Sequence, residues 1–128
     1  MNSADRHATP AVLIVEDEFL ARMVAAQALR EAGWEVVEAS NGTEALAFLH
    51  SGAPVDLIFT DVQMPGPVDG LALLAFVRQT IPDVPVIVSS GHLKPELALD
   101  AGAAAFLPKP YRSEVLAVLI DANCGREI

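Results

Sequence analysis

Five short apolar runs recur along the chain, each closed by polar residues and separated by stretches whose apolar positions repeat every three or four. Residues 11–15, A-V-L-I-V, run without a polar break into Glu16 and Asp17. A continuous run of that length fits a strand covered on both faces, as in parallel sheets. From 17 to 32 the spacing turns helical, with Leu20, Met23, Val24 and Ala28 predicted inward and Gly33 as the stop. Residues 34–39 read as a second strand with Glu35 and Glu38 facing out. Asn41 followed by Glu44 has the form of a capping box, opening a helix with Ala45, Leu46 and Leu49 inward and an end at Ser51-Gly52.

The second half repeats the alternation. Residues 55–60 read as the third strand, entered through Pro54. Gln63-Met64-Pro65-Gly66-Pro67 must be a loop, because two prolines and a glycine leave no room for regular structure. Leu71, Leu74, Val77 and Ile81 mark a third helix ended by Pro82. Pro85 introduces a fourth strand over 86–89, and a shorter helix over about 95–101 stops at Gly102. Residues 104–108 form the fifth strand. Residues 112–122 form the last helix, with Val115, Leu116, Leu119 and Ile120 inward. Five strands alternating with five helices imply a doubly wound α/β fold, a parallel sheet with right-handed crossovers and helices on both faces. The expected organisation is an N-terminal arm over 1–10, one domain over 11–123 and a short tail over 124–128, with no internal repeat.

Composition narrows the function. With 128 residues, 52% of them apolar, the chain has enough material for one packed core. A net charge of -9 argues against direct nucleic-acid binding, which needs a basic footprint. The single cysteine, Cys124, excludes an internal disulfide and fits a reducing compartment. No apolar run approaches the ~20 residues that span a bilayer, and the first ten residues lack a secretion-signal core. A cytoplasmic protein without a membrane partner is the expectation.

The polar residues that close the runs carry the chemistry. If the runs are parallel strands, Glu16, Asp17, Asp61, Ser90 and Lys109 all open onto one sheet edge, where ligands of open α/β sheets bind. Carboxylates held close together repel, and a divalent cation relieves them; Mg²⁺ takes a few carboxylate oxygens together with water and phosphate oxygens. Asp17 and Asp61, with a backbone carbonyl from the following loop, would leave positions for water and a phosphoryl oxygen. Read singly, Asp17 is equally an N-cap for the first helix, with Glu18 one residue inside it serving the helix dipole. Asp61, a candidate nucleophile that could form an aspartyl-phosphate, is equally a turn residue. Lys109, one of only two lysines, lies between Pro108 and Pro110, and the Lys109-Pro110 bond can adopt either isomer. It is a point charge suited to phosphate or an ordinary loop lysine. Ser89 and Ser90 are adjacent, and strand alternation turns only one of them toward the crevice.

The same residues resemble the receiver domain of two-component response regulators. V-L-I-V-E-D-E is similar to its first strand and acidic pair, and D-L-I-F-T-D-V-Q-M-P to its phosphoacceptor strand and loop. V-P-V-I-V-S-S-G resembles its fourth strand and G-A-A-A-F-L-P-K-P its fifth. The match runs from about residue 11 to 122 and implies a flavodoxin-like sheet of order 2-1-3-4-5. By that resemblance Asp61 accepts a phosphoryl group from a histidine kinase or phosphotransfer protein. Asp17 and Asp61 touch Mg²⁺ directly, Glu16 acts through water and the Gln63 carbonyl supplies a third protein oxygen. Lys109 pairs with the phosphoryl group, Ser90 before Gly91 is the switch hydroxyl, and Phe106 is the switch aromatic. Gln63 and His92 occupy positions that tune loss of the phosphoryl group. The resemblance further implies a stand-alone switch that signals to a separate output protein or passes the phosphoryl group along a phosphorelay. It is no enzyme beyond self-phosphorylation and autodephosphorylation.

Three features depart from the pattern. M-P-G-P-V-D-G is one residue longer than the usual loop, the spacing from Ser90 to Lys109 is about three residues short, and the switch pair is Ser with Phe. The shortening is close to one helical turn of ~3.6 residues and predicts that the fourth helix or the loop before it is truncated. Competing readings are a receiver-like binding module independent of phosphate and an aspartate-nucleophile phosphatase. The phosphatase needs a second acid two residues beyond the nucleophile, where Gln63 stands. A flavin carrier needs a phosphate-cradling loop where Glu16-Asp17-Glu18 would repel one.

Overall fold

A computed structural model of the chain describes residues 9–124. Its strands are β1 (Ala11–Val15), β2 (Glu35–Ala39), β3 (Leu57–Asp61), β4 (Val86–Ser90) and β5 (Ala105–Pro108). Its helices are α1 (Phe19–Glu31), α2 (Gly42–His50), α3 (Gly70–Thr80), α4 (Pro95–Asp100) and α5 (Ser113–Asn123). The five strands form one parallel sheet in the order β2-β1-β3-β4-β5, as expected. Most of the expected terminal arm and tail lies outside the described residues.

Strands β1, β3 and β4 are buried along their whole length, which is why they read as unbroken apolar runs. Alternation divides the core into two layers. Val12, Ile14, Phe59, Ile87 and Leu107 face Ala25, Ala26 and Leu29 of α1 and Leu116 and Ile120 of α5. Leu13, Val15, Ile58, Val86 and Val88 face Ala45 of α2, Leu73, Leu74 and Val77 of α3 and Ala98 of α4.

The helix starts follow their caps. Asn41 accepts from the Glu44 amide at 2.8 Å, while the Glu44 carboxylate reaches back to the Ser40 amide at 2.7 Å and the Ser40 hydroxyl at 2.9 Å. That is the expected box with its return bond displaced by one residue. Asp69 caps α3 through the Ala72 amide at 2.8 Å, and caps of this kind stabilise a helix by ~1 kcal/mol. Helix α4 has only 6 residues and closes on Gly102 with φ +105°, in line with the missing turn.

Two expected faces are corrected. In α1, Leu20, Met23 and Val24 are 58%, 42% and 51% exposed, and the sheet instead receives Ala25, Ala26 and Leu29. Two small alanines let the helix lie close on the sheet, and that turns the bulkier neighbours outward. In α5, Val115 is exposed while Leu116 and Ile120 are buried. The Lys109-Pro110 bond is cis.

Candidate functional site

The carboxyl ends of β1, β3 and β5 bring Glu16, Asp61 and Lys109 together on the α1/α5 side of the sheet. Glu16 and Asp61 are buried at 3% and 8% exposure. Between them lies the Lys109 ammonium, donating to Glu16 Oε1 and to Asp61 Oδ2, each at 3.0 Å. Asp17 is exposed at the rim, and ligand oxygens of Glu16, Asp17 and Asp61 lie within 4.8 Å of one another. Three hard carboxylates at that spacing fit Mg²⁺, which favours oxygen ligands.

Local hydrogen bonds fix the acidic turn. Glu18, not Asp17, caps α1, accepting from the Ala21 amide at 2.8 Å. The capping reading of Asp17 and the interior placing of Glu18 are both corrected here, because the helix begins at Phe19, one residue later than expected, which leaves Glu18 at the cap position. Asp17 makes no side-chain hydrogen bond or ion pair among the described residues, so its carboxylate is free for a ligand. Glu16 Oε2 accepts from the Glu18 amide at 3.1 Å. Arg22 donates from Nη1 to the Glu16 carbonyl at 2.9 Å and from Nε to Glu38 at 3.2 Å, tying the turn to α1 and β2.

Burial raises the Glu16 pKa above the ordinary carboxylate value, with the nearby Asp61 charge adding to it and the Glu18 amide and Lys109 opposing it. The Lys109 pKa is raised as well: burial disfavours its charge, but hydrogen bonds to Asp61 and Glu16 outweigh burial. Tyr111 packs edge-on against Phe59 at 5.7 Å, and burial followed by the Glu16 charge pushes its hydroxyl up to about 12.

A raised carboxyl pKa means the fold binds that proton more tightly than the unfolded chain does. Charged Glu16 therefore detracts from stability at pH 7, and the deficit disappears as pH falls through the folded pKa toward 4.5. In EDTA, Glu16→Gln should unfold at a higher temperature than the parent at pH 7, with the difference closing toward pH 4.5. A difference that stays flat across that range would contradict the assignment.

The two serines separate by face. Register pairs Ser89 with Asp61 and with Leu107 on the α1/α5 side, while Ser90 pairs with Pro108 and shares the opposite side with Val88. The Ser90 hydroxyl accepts from the His92 and Leu93 amides, both at 3.0 Å. Phe106, the register partner of Val88, is half-buried against the same layer. Gln63 and His92 are exposed in the loops after β3 and β4. Sequence reasoning did not pick out Arg22 or Tyr111. Tyr111 stands two residues beyond Lys109, as Lys109 stands two beyond Leu107, and Arg22 lies one helical turn beyond Glu18.

A groove of about 600 Å³ opens beside the cluster, lined by Leu20, Val24, Lys109, Pro110 and Tyr111 among others. No helix among the described residues is long and apolar enough to cross a membrane.

Comparison with known proteins gives one answer. Residues 12–121 match the family model of the response regulator receiver domain. The chain is 38% identical over 122 residues to the sensor kinase CckA of Brucella abortus, covering 92% of this chain and 13% of that protein. It is likewise 38% identical over 113 residues to the DNA-binding transcriptional regulator NtrC of Salmonella typhimurium, covering 86% of this chain and 24% of that protein. The chain thus spans a quarter or less of the length of these curated relatives. Among solved structures, the receiver domain of NtrX from Brucella abortus matches with TM-score 0.82 and 32% identity, covering 91% of this chain and 99% of that one. A receiver domain protein from Clostridium thermocellum matches with TM-score 0.83 and 29% identity, covering 91% and 95%. With the sheet order, the acidic cluster at the strand ends and these matches in agreement, the chain belongs to the response regulator receiver domains of two-component signalling.

Proposed function

We propose that this receiver domain is a phosphorylation-driven switch with Asp61 as the acceptor, taking its phosphoryl group from a phosphohistidine of a kinase or phosphotransfer protein. The observation that carries the reading is the buried Asp61 carboxylate, held by Lys109 at 3.0 Å beside Glu16 and the exposed Asp17. An Asp61 oxygen forms the new bond to phosphorus as the bond from phosphorus to the donor imidazole breaks. The imidazole leaves with that electron pair. With so little covalent work for the protein, transfer depends on positioning and charge neutralisation.

Asp17 and Asp61 would hold Mg²⁺ directly, with Glu16 acting through water and the Gln63 carbonyl completing the protein's share. When bound, the ion offsets the charge of the carboxylates and of the incoming phosphoryl oxygens. Lys109 keeps its proton throughout and shifts its ammonium toward the phosphoryl group. Any protein donor must rest on the surface around Asp61, where the apolar groove beside Lys109 offers contact area.

The added group carries about -1.5 to -2 charge and three acceptor oxygens. Ser90 answers it by turning its hydroxyl from the His92 and Leu93 amides toward the phosphoryl group, which frees the loop after β4 and opens space for Phe106. The short α4 and the neighbouring α5 then present a changed face to an output partner. This is a shift between two packings, limited by the difference in interaction energy. The phosphatase alternative fails at Gln63, which supplies no general acid.

The metal half of the reading has its own test. Mg²⁺ at tenfold above its dissociation constant should stabilise the fold by ~1.4 kcal/mol, and Asp17→Ala should abolish that gain. Equal metal stabilisation of both proteins in thermal unfolding would mean that Asp17 is not a ligand.

A further inference from the structure

We propose that Ser89 is a second hydroxyl of the Asp61 site, a positioning residue that hydrogen-bonds the aspartyl-phosphate but not the free carboxylate. Its Oγ is the one buried side-chain oxygen or nitrogen among the described residues without a hydrogen-bond partner. Ser89 is 1% exposed, so water does not offset that loss at the surface. A buried hydroxyl left unpaired is costly, and strand surroundings of this kind normally take an apolar residue. The neighbours agree: Ile87 stands two residues before it and Leu107 opposite it, both buried and apolar.

Register explains what the hydroxyl is for. Ser89 is the Cα partner of Asp61 across β3 and β4, and partners in a parallel pair project to the same face. Ser89, Asp61, Glu16 and Lys109 therefore share the α1/α5 side of the sheet. Ser90 stands on the other side, with its hydroxyl already engaged by two amides. At rest the Asp61 Oδ2 atom is held by Lys109. Phosphorylation draws the ammonium toward the new oxygens, releases the carboxyl group to turn and adds acceptors next to the unpaired hydroxyl. A donor satisfied only in that state favours it over the resting one. The proposal rests on Asp61 being the phosphoryl acceptor.

Beryllofluoride with Mg²⁺, which mounts a phosphoryl-like group on an aspartate, gives an equilibrium test by calorimetry on the full chain. Ser89→Ala and the near-isosteric Ser89→Cys should bind it about tenfold more weakly than the parent, the effect of one hydrogen bond to a charged group. Ser89→Thr, which keeps the hydroxyl, should restore binding to within about threefold, a difference smaller than one such hydrogen bond. Without beryllofluoride, the unfolding temperature of Ser89→Ala should not fall below the parent's, since the hydroxyl has no resting partner to lose. Parent-like affinity in both hydroxyl-free variants would overturn the proposal. So would weakened binding that Ser89→Thr does not restore and that comes with a lowered unfolding temperature. If the parent itself does not bind, or Asp61→Asn binds equally well, the acceptor reading fails and the Ser89 role fails with it.

Discussion

Gly70→Ala is expected to lower the unfolding midpoint by roughly 10 °C. Overpacking costs ~1–3 kcal/mol, and a domain of this size loses about 4 °C per kcal/mol. The cause is space, not backbone angle, because Gly70 is absent from the positive-φ glycines. A Cβ there would fall 2.1 Å from the Asp61 carbonyl oxygen and 2.7 Å from Val62 Cα. Both neighbours are backbone, so neither can rotate away. The Gly70 amide also donates to the Val62 carbonyl at 2.8 Å, which pins the start of α3 against the end of β3. Displacing that carbonyl moves Asp61 as well, so stability and phosphoryl uptake should fall together. Gly66→Ala is the control. Its φ of +97° disfavours a side chain, but nothing lies within 4 Å of its Cβ, so it should lose only the ~1–2 kcal/mol of left-handed backbone. Denaturation followed by circular dichroism separates the two, and equal losses would refute the steric account.

Lys109→Ala should produce a second large loss, and one that depends on metal. Its ammonium is the only cation paired with the buried Glu16 and Asp61 among the described residues. Removing one partner of a buried pair costs ~3–5 kcal/mol when it leaves a charge uncompensated; the partial exposure of Lys109 brings the expected loss to ~2–3 kcal/mol. Because its raised pKa lies in the alkaline range, this contribution is fully present at neutral pH and is lost only as pH rises through that value. Mg²⁺ supplies positive charge to the same carboxylates, so the deficit of the variant measured in EDTA should shrink when the ion is added. An unchanged deficit would mean that Lys109 and the metal do not act on the same carboxylates.

The site was legible in the sequence because strands buried on both faces leave an unmistakable boundary. An unbroken apolar run must stop where the sheet ends, and Glu16, Asp61 and Lys109 stand at those stops. The shortened fourth helix was legible for a similar reason, since Pro95 and Gly102 leave space for little more than a turn and a half. Helix orientation was not legible where apolar residues surround the axis. In α1, Leu20, Met23 and Val24 fit a helical stripe as well as Ala25, Ala26 and Leu29 do. Only packing against the sheet chooses between them, and it chose the alanines. The division of labour between Asp17 and Glu18 also escaped, because either acid can cap a helix and only the start of α1 at Phe19 decides between them. Gly42 against Val68 joins residues far apart in the chain, and Gly70 meets Asp61 only through the fold of the loop between them, so no local pattern reports either approach. The faces of Ser89 and Ser90 were decided by strand register alone.

The most direct test of the central claim is intact-protein mass after incubation with a small phosphodonor such as acetyl phosphate, with and without Mg²⁺, beside Asp61→Asn. The expected result is a Mg²⁺-dependent gain of one phosphoryl group in the parent and none in the variant. A phosphoryl gain that persists in Asp61→Asn, or no gain in the parent from either the small donor or a phosphohistidine protein, would contradict Asp61 as the acceptor.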